Sequence, residues 1–183
     1  MGRSRAFTYL ALVVLGLGLS TSILAIQQRV DLEWLCRGAE HIVIGTVTDV
    51  RGYRGQWPGV GEVIFSDVTI EPSAEWKGSV PRGVPLVLQV PGGLAPDGVE
   101  MRVSEAPRFT KGEKVLVFVH TFLDRLWVRG WEQGKYTIFV ERVAGSASQP
   151  ISEDILTHAL KRKVDAILAA QAIEPGEKKA GDR

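Results

Sequence analysis

The chain has 183 residues, of which 45% are hydrophobic and 23% are charged, with 22 Lys and Arg against 21 Asp and Glu. This composition is typical of one globular domain with short accessory segments, and it excludes a collagen-like or wholly disordered chain. The near-zero net charge argues against nucleic-acid binding, because phosphate contacts need clustered cationic side chains. The single cysteine excludes an internal disulfide, so we expect the core to hold the fold.

The N-terminal segment has the pattern of an export signal. Arg3 and Arg5 form a short basic head, and residues 6–28 contain no charge. The apolar stretch has the length of a signal-peptide core, and small residues offer cleavage sites after Ser22 or Ala25. We therefore predict that residues 1–25 are a signal peptide or an N-terminal membrane anchor.

The anchor alternative follows from the length of the apolar run. If residues 6–26 stay on the chain, they would form a helix of about 31 Å, long enough to cross the hydrocarbon core of a bilayer. The basic head favours the cytoplasmic side. Both alternatives place the remainder outside the cytoplasm, either secreted or periplasmic, or anchored in the inner membrane.

Residues 26–143 carry the alternation of β-strands and are predicted to form a β domain. Two β-branched runs, residues 40–50 and 62–71, have alternating apolar faces. Between them, residues 51–61 contain four glycines and a proline, and this composition predicts a loop.

Further strands are predicted at residues 84–90 and 98–103, and a last hairpin is predicted from residues 126–131 and 135–140. Residues 114–120 form the clearest strand, since they are apolar on both faces. A strand of this kind needs cover on both sides.

The C-terminal part is predicted to be a linker and docking helix, residues 144–172, followed by a disordered tail, residues 173–183. Ser152 is the expected N-cap of this helix. An apolar stripe along the helix would cover the outer face of residues 114–120.

The order of these elements predicts a mainly β fold. We expect a small antiparallel OB-like barrel with one C-terminal amphipathic helix, together with an N-terminal signal or anchor helix. Closure of the barrel would remove apolar strand edges that could otherwise associate. A two-sheet sandwich is the alternative, because periodicity does not count the strands in each layer.

Four short runs carry a resemblance to a known family: AEHIVIGTV at 39–47, VTIE at 68–71, WKG at 76–78 and GEKVLVF at 112–118. They resemble the barrel of the tissue-inhibitor-of-metalloproteinases and netrin-module superfamily, and still more a set of bacterial exported proteins built on that plan. The resemblance implies a barrel of five or more strands with a flanking helix.

The inhibitory chemistry of that superfamily does not carry over. It requires a cysteine at the start of the mature chain, and Cys36 lies about ten residues beyond either cleavage site without a partner for a disulfide. We expect Cys36 to be a buried structural thiol.

The sequence contains no recognisable set of catalytic or metal-binding residues. His41, His120 and His158 form none of the spacings of a zinc site, and no nucleophile motif or phosphate-binding loop occurs. We therefore expect no enzyme, no metal and no cofactor.

Tryptophans supply the candidate binding residues. Trp57 is the first candidate because it lies in the glycine-rich segment, with packing back onto the barrel as the open alternative. Trp131 is the second candidate, and Arg108 could add a charge to the same rim. Trp76 and Trp127, at strand ends, are expected to pack as core edges.

These features predict a non-enzymatic extracytoplasmic protein-interaction module. Its loops, centred on Trp57 and residues 89–105, would contact an unidentified extracytoplasmic protein. The alternative is a secreted protease inhibitor that acts through the barrel edge. We expect no nucleic-acid partner, and membrane contact only through the N-terminal anchor.

Overall fold

The computed structural model describes residues 30–81, 83–138 and 153–173. The predicted signal or anchor, the N-cap Ser152 and most of the predicted tail lie outside the described residues. Among those that are described, no helix combines the length and the apolar character needed to span a membrane.

The described chain is mainly β, with two helices and eight strands. In chain order they are α1 (Leu32–Gly38), β1 (His41–Trp57), β2 (Gly61–Lys77), β3 (Leu86–Pro91), β4 (Gly93–Leu94), β5 (Glu100–Met101), β6 (Lys114–Phe122), β7 (Arg125–Val128), β8 (Lys135–Thr137) and α2 (Glu153–Ile173).

Six of the strands form a ring-like sheet in the order β1-β2-β3-β7-β6-β8, with β1 also paired to β6. The β1–β2, β2–β3, β6–β7 and β1–β6 pairs are antiparallel. A parallel contact between Leu88 and Leu126 joins β3 to β7. The short strands β4 and β5 form a separate two-stranded sheet.

Strand β6 lies between two apolar cores, as its double-sided pattern predicts. Val115, Val117 and Val119 face an inner core that also contains Val43 and Val47 of β1. Leu116 and Phe118 face an outer core that is covered by side chains of both helices, including Leu35 and Val164. Val164 of α2 is fully buried in this outer core, in the same cluster as Leu116 and Phe118.

The predicted loop at 51–61 is wrong, because β1 and β2 continue through it as one long hairpin that turns at residues 58–60. The glycines in this segment allow close contacts within a strand. A Cβ at Gly52 would lie 1.9 Å from the carbonyl oxygen of Leu94, and one at Gly55 would lie 2.9 Å from the ring of Phe65. Glycine inside a strand commonly marks such an approach.

The predicted hairpin between residues 126–131 and 135–140 is also wrong. Strands β7 and β8 do not pair with each other; both pair with β6, one after the other along the same edge. A 3-10 turn, Trp131–Gly134, connects them.

Two further strands agree with the sequence prediction, whereas one helix was not predicted. Strands β3 and β5 lie at the predicted segments, and Pro85 directly precedes β3, as a proline at the start of a strand should. Helix α1 was not predicted. It begins after Asp31, whose carboxylate accepts a hydrogen bond from the amide of Glu33, which is the usual N-cap interaction.

Shortening Val164 tests how far the C-terminal helix stabilises the outer core. We expect Val164→Ala to lower the free energy of unfolding by about 2 kcal/mol, because it leaves a cavity at a fully buried position. Urea denaturation measures the change. The neighbouring exposed Lys163→Ala should leave the midpoint almost unchanged, and equal effects of the two substitutions would contradict the docking of α2.

Candidate functional site

An aromatic cluster forms where the β1–β2 hairpin meets the β6–β7 hairpin. The ring of Trp57 stacks on Phe65 with a centroid distance of 5.7 Å and meets Trp127 edge-on at 5.5 Å. Phe122 approaches Trp127 at 6.0 Å. The indole nitrogen of Trp127 donates a 2.9 Å hydrogen bond to the carbonyl of Phe122, which ties the cluster to the β6–β7 hairpin.

The cluster forms one wall of a cavity of about 270 Å³, which we call the aromatic cleft. Six of its lining residues are aromatic or proline: Trp57, Pro91, Pro107, Phe122, Trp127 and Trp131. Trp127 is buried, whereas 46% of Phe122 and 45% of Trp131 are exposed. The cleft therefore presents large apolar side chains to the surface, a feature that often marks an interaction site.

The structure brings two of the three predicted binding residues together. Trp57 and Trp131 both line the aromatic cleft, although Trp57 lies at the end of β1, half-buried, rather than in a loop. Its contact with Phe65 corresponds to the alternative in which it packs back onto the domain. Trp76 and Trp127 pack against the body of the domain, as expected for core edges.

Arg108 is exposed and lines a neighbouring cavity of about 220 Å³. The same cavity contains Glu100 and Arg102, which form an exposed ion pair at 2.8 Å. The buried Pro107 borders both cavities, so Arg108 lies one residue beyond the aromatic cleft. The structure thus separates the predicted charge from the two predicted tryptophans.

Sequence reasoning missed the β6–β7 hairpin tip, where Phe122 and Leu123 are exposed. Leu123 and Asp124 have φ values of 48° and 56°, so the two-residue turn uses a left-handed conformation without glycine. Such turns are normally signalled by Asn-Gly or Asp-Gly. In the sequence, Asp124 between two apolar runs is the signal that could have identified the turn, because aspartate tolerates left-handed backbone.

Several residues with positive φ lie around the cleft. Among the described residues, the non-glycine positions with positive φ are Glu105, Leu123, Asp124 and Trp131. Each lines the aromatic cleft or one of the cavities adjoining it. Left-handed backbone at such residues stores strain and often occurs at functional sites.

Two polar side chains enter the cleft. The Gln89 amide donates a short hydrogen bond to the Tyr53 hydroxyl. His120 has a buried Nδ1 that finds no hydrogen-bond partner among the described residues. Burial lowers the pKa of His120, and the positive charge of Arg129 lowers it further.

A nearly buried ion pair supports the loop behind the cleft. The Nζ of Lys135 lies 2.6 Å from Glu113 Oε1 and donates another 2.6 Å hydrogen bond to the carbonyl of Arg108. Thr137 also donates to Glu113, and the amide of Thr110 donates to its other oxygen at 3.1 Å. These bonds fix residues 108–113 against β8.

The remaining candidate ligands are scattered. Cys36 is completely buried, and burial raises the pKa of its thiol, while Lys77 partly opposes the change. His41 begins β1 and His158 lies exposed on α2. Within residues 30–81, 83–138 and 153–173, no group of three or more His, Cys, Asp or Glu could hold a metal ion.

In comparisons with family models, with curated proteins and with solved structures, none matches this chain.

The two cleft tryptophans should differ in their effect on stability. We expect Trp57→Ala to lower the free energy of unfolding by about 2 kcal/mol, because its half-buried ring packs against Phe65 and Trp127. The exposed Trp131→Ala should change it by no more than about 0.5 kcal/mol. Chemical denaturation distinguishes the two, and a larger loss for Trp131 would contradict the packing described.

The Glu113–Lys135 pair predicts a dependence of stability on pH. Burial alone would raise the pKa of Glu113, but hydrogen bonds from Lys135 and Thr137 hold it below its usual value of 4.5. The stabilisation is therefore complete above pH 4.5 and is lost as the pH falls through the lowered pKa. Denaturation curves measured from neutral to acid pH should show this loss.

Glu113→Gln should flatten the acid part of that profile and should also lower stability at neutral pH, because Lys135 then keeps a buried charge without its partner. The exposed Glu71→Gln serves as the matched control. An unchanged acid slope in Glu113→Gln would show that other carboxyl groups cause the acid sensitivity.

Proposed function

We propose that this chain is a non-enzymatic extracytoplasmic protein-interaction module, and that its aromatic cleft receives apolar side chains of a partner protein. One observation carries the proposal: Trp57, Phe122 and Trp131, from three separate segments, converge on one apolar cavity that opens to the surface.

The chemistry of the cleft supports recognition of a protein segment. Tryptophans dominate the binding energy of many protein interfaces, because they bury a large apolar area and lose little conformational entropy. A cavity of about 270 Å³ has room for one or two side chains of a partner. Gln89 and His120 add a few polar groups that could orient the bound segment.

The rigidity of the cleft also supports this function. The Trp127 hydrogen bond fixes one wall, and the Glu113–Lys135 pair supports the loop that carries Pro107. A cleft that is already formed costs less conformational entropy on binding than one that must be ordered. The strained backbone at Leu123 and Trp131 is consistent with selection for the position of these side chains.

We further propose that the ring-like sheet is an OB-like barrel. The support is the return of the strand pairing to β1 through β6, together with the parallel contact between Leu88 and Leu126. Register shifts in β1 near Ile42, Ile44 and Val47 bend this strand, as a closing sheet requires.

The proposed location outside the cytoplasm depends on the sequence of the N-terminal segment. The completely buried Cys36 is compatible with an oxidising compartment, because its thiol is protected from exchange. N-terminal sequencing of the protein from its source cells would identify any cleavage site.

Photocrosslinking in living cells tests the binding site directly. A photoreactive phenylalanine analogue at Leu123, beside the cleft, should give a discrete crosslinked species with a partner protein. Trp131→Ala in the same chain should abolish that species, because it removes an exposed cleft side chain while leaving the fold intact.

The matched control places the same analogue at Val84, which is 48% exposed and lies two residues before the start of β3, whereas Pro91 of the cleft ends that strand. Val84 should give no such species. Crosslinks from Leu123 that persist unchanged in Trp131→Ala, or identical crosslinks from Val84, would contradict binding through the aromatic cleft.

A further inference from the structure

The structure fixes the point at which the N-terminal segment joins the domain. The backbone amide of Val30 donates a 2.7 Å hydrogen bond to the side-chain oxygen of Gln133. Gln133 lies in the 3-10 turn between β7 and β8. Val30, the first residue that the structure describes, therefore lies on the face that carries this turn.

The same face carries two exposed tryptophans and an arginine. Trp34 is 47% exposed, Trp131 is 45% exposed, and the guanidinium carbon of Arg129 lies 3.7 Å above the centre of the Trp34 ring. With Val30 they line one recess of about 460 Å³. We call these four residues the tryptophan–arginine collar.

The length of the connecting chain limits how far the collar can lie from a membrane. Residues 27–29 separate the apolar run 6–26 from Val30, so four residue steps join the end of the run to the domain. Fully extended, four residues span about 14 Å. The polar headgroup layer on each side of a bilayer is roughly 5–8 Å thick. An apolar run that crosses the bilayer would therefore keep the collar at or next to the headgroup layer.

We propose that residues 6–26 stay on the chain as a membrane anchor and that the tryptophan–arginine collar rests in the headgroup layer of the same bilayer. Tryptophan is enriched at membrane interfaces, because its ring is apolar and its N–H is polar. Arginine is weakly hydrated and can bond lipid phosphate. This inference goes beyond the proposed function, since Trp34 does not line the aromatic cleft.

The charges around the recess predict whether the contact depends on the charge of the lipid. Glu105 and Glu132 line it together with Arg129, so the face has no excess of positive charge. The contact should depend on the aromatic side chains and on the tether. We expect it to be equally strong on neutral and on anionic lipids.

Fluorescence quenching by brominated lipid tests the proposal. The full chain is reconstituted in phosphatidylcholine vesicles with bromine on the acyl chain close to the headgroup, which quenches tryptophans at the interface. Trp34→Phe should remove a large part of the quenchable fluorescence, and Trp131→Phe a further part. Trp76→Phe is the control, because Trp76 packs against the outer core and does not line the recess.

Replacing a third of the lipid by phosphatidylglycerol should leave these results unchanged. Equal quenching in the Trp34→Phe and Trp76→Phe chains would overturn the contact. Recovery of the protein from its source cells in soluble form, without residues 1–22 or 1–25, would overturn the anchor. Crosslinking from Leu123 reports on the aromatic cleft and quenching of Trp34 reports on the collar, so the two proposals can fail independently even though Trp131 borders both cavities.

Discussion

The burial of β6 on both faces is the constraint on which the rest of the structure depends. A strand with Val115, Val117 and Val119 on one side and Leu116 and Phe118 on the other needs two apolar layers. The ring-like sheet supplies the inner layer, and the two helices supply the outer one. The helices are thus part of the core, even though they are distant in sequence from each other.

The candidate site forms where this double-layered body ends. Beyond Val119, β6 leaves the core and continues to Phe122, where its side chains become exposed. There it meets the far half of the β1–β2 hairpin, which carries Trp57 and Phe65. Each strand is anchored in the core by one end, and this arrangement holds the aromatic rings of the other end in place without a large loop.

The alternation of apolar and polar residues in the sequence predicts much of the fold, but it does not predict much of the candidate site. Apolar periodicity predicts both faces of β1 near Val43, the two-sided β6 and the covering helix, because burial determines these patterns. Gly52 and Gly55 predict a loop, but both lie inside β1. There the missing side chain leaves room for the backbone of Leu94 and for the ring of Phe65. The placement of Trp57 and Trp131 in the lining of one cleft depends on tertiary packing, which local patterns do not record.

The pairing of β1 with β6 also affects the order in which the chain can fold. The β1–β2 hairpin connects neighbouring residues and can form early, whereas His41 pairs with Val119 and Thr46 with Lys114 across a long stretch of sequence. Contacts between such distant residues form slowly, because a large loop must close first. Until β6 has been synthesised, one edge of β1 has unsatisfied backbone groups, and during this interval the nascent chain is most prone to aggregate.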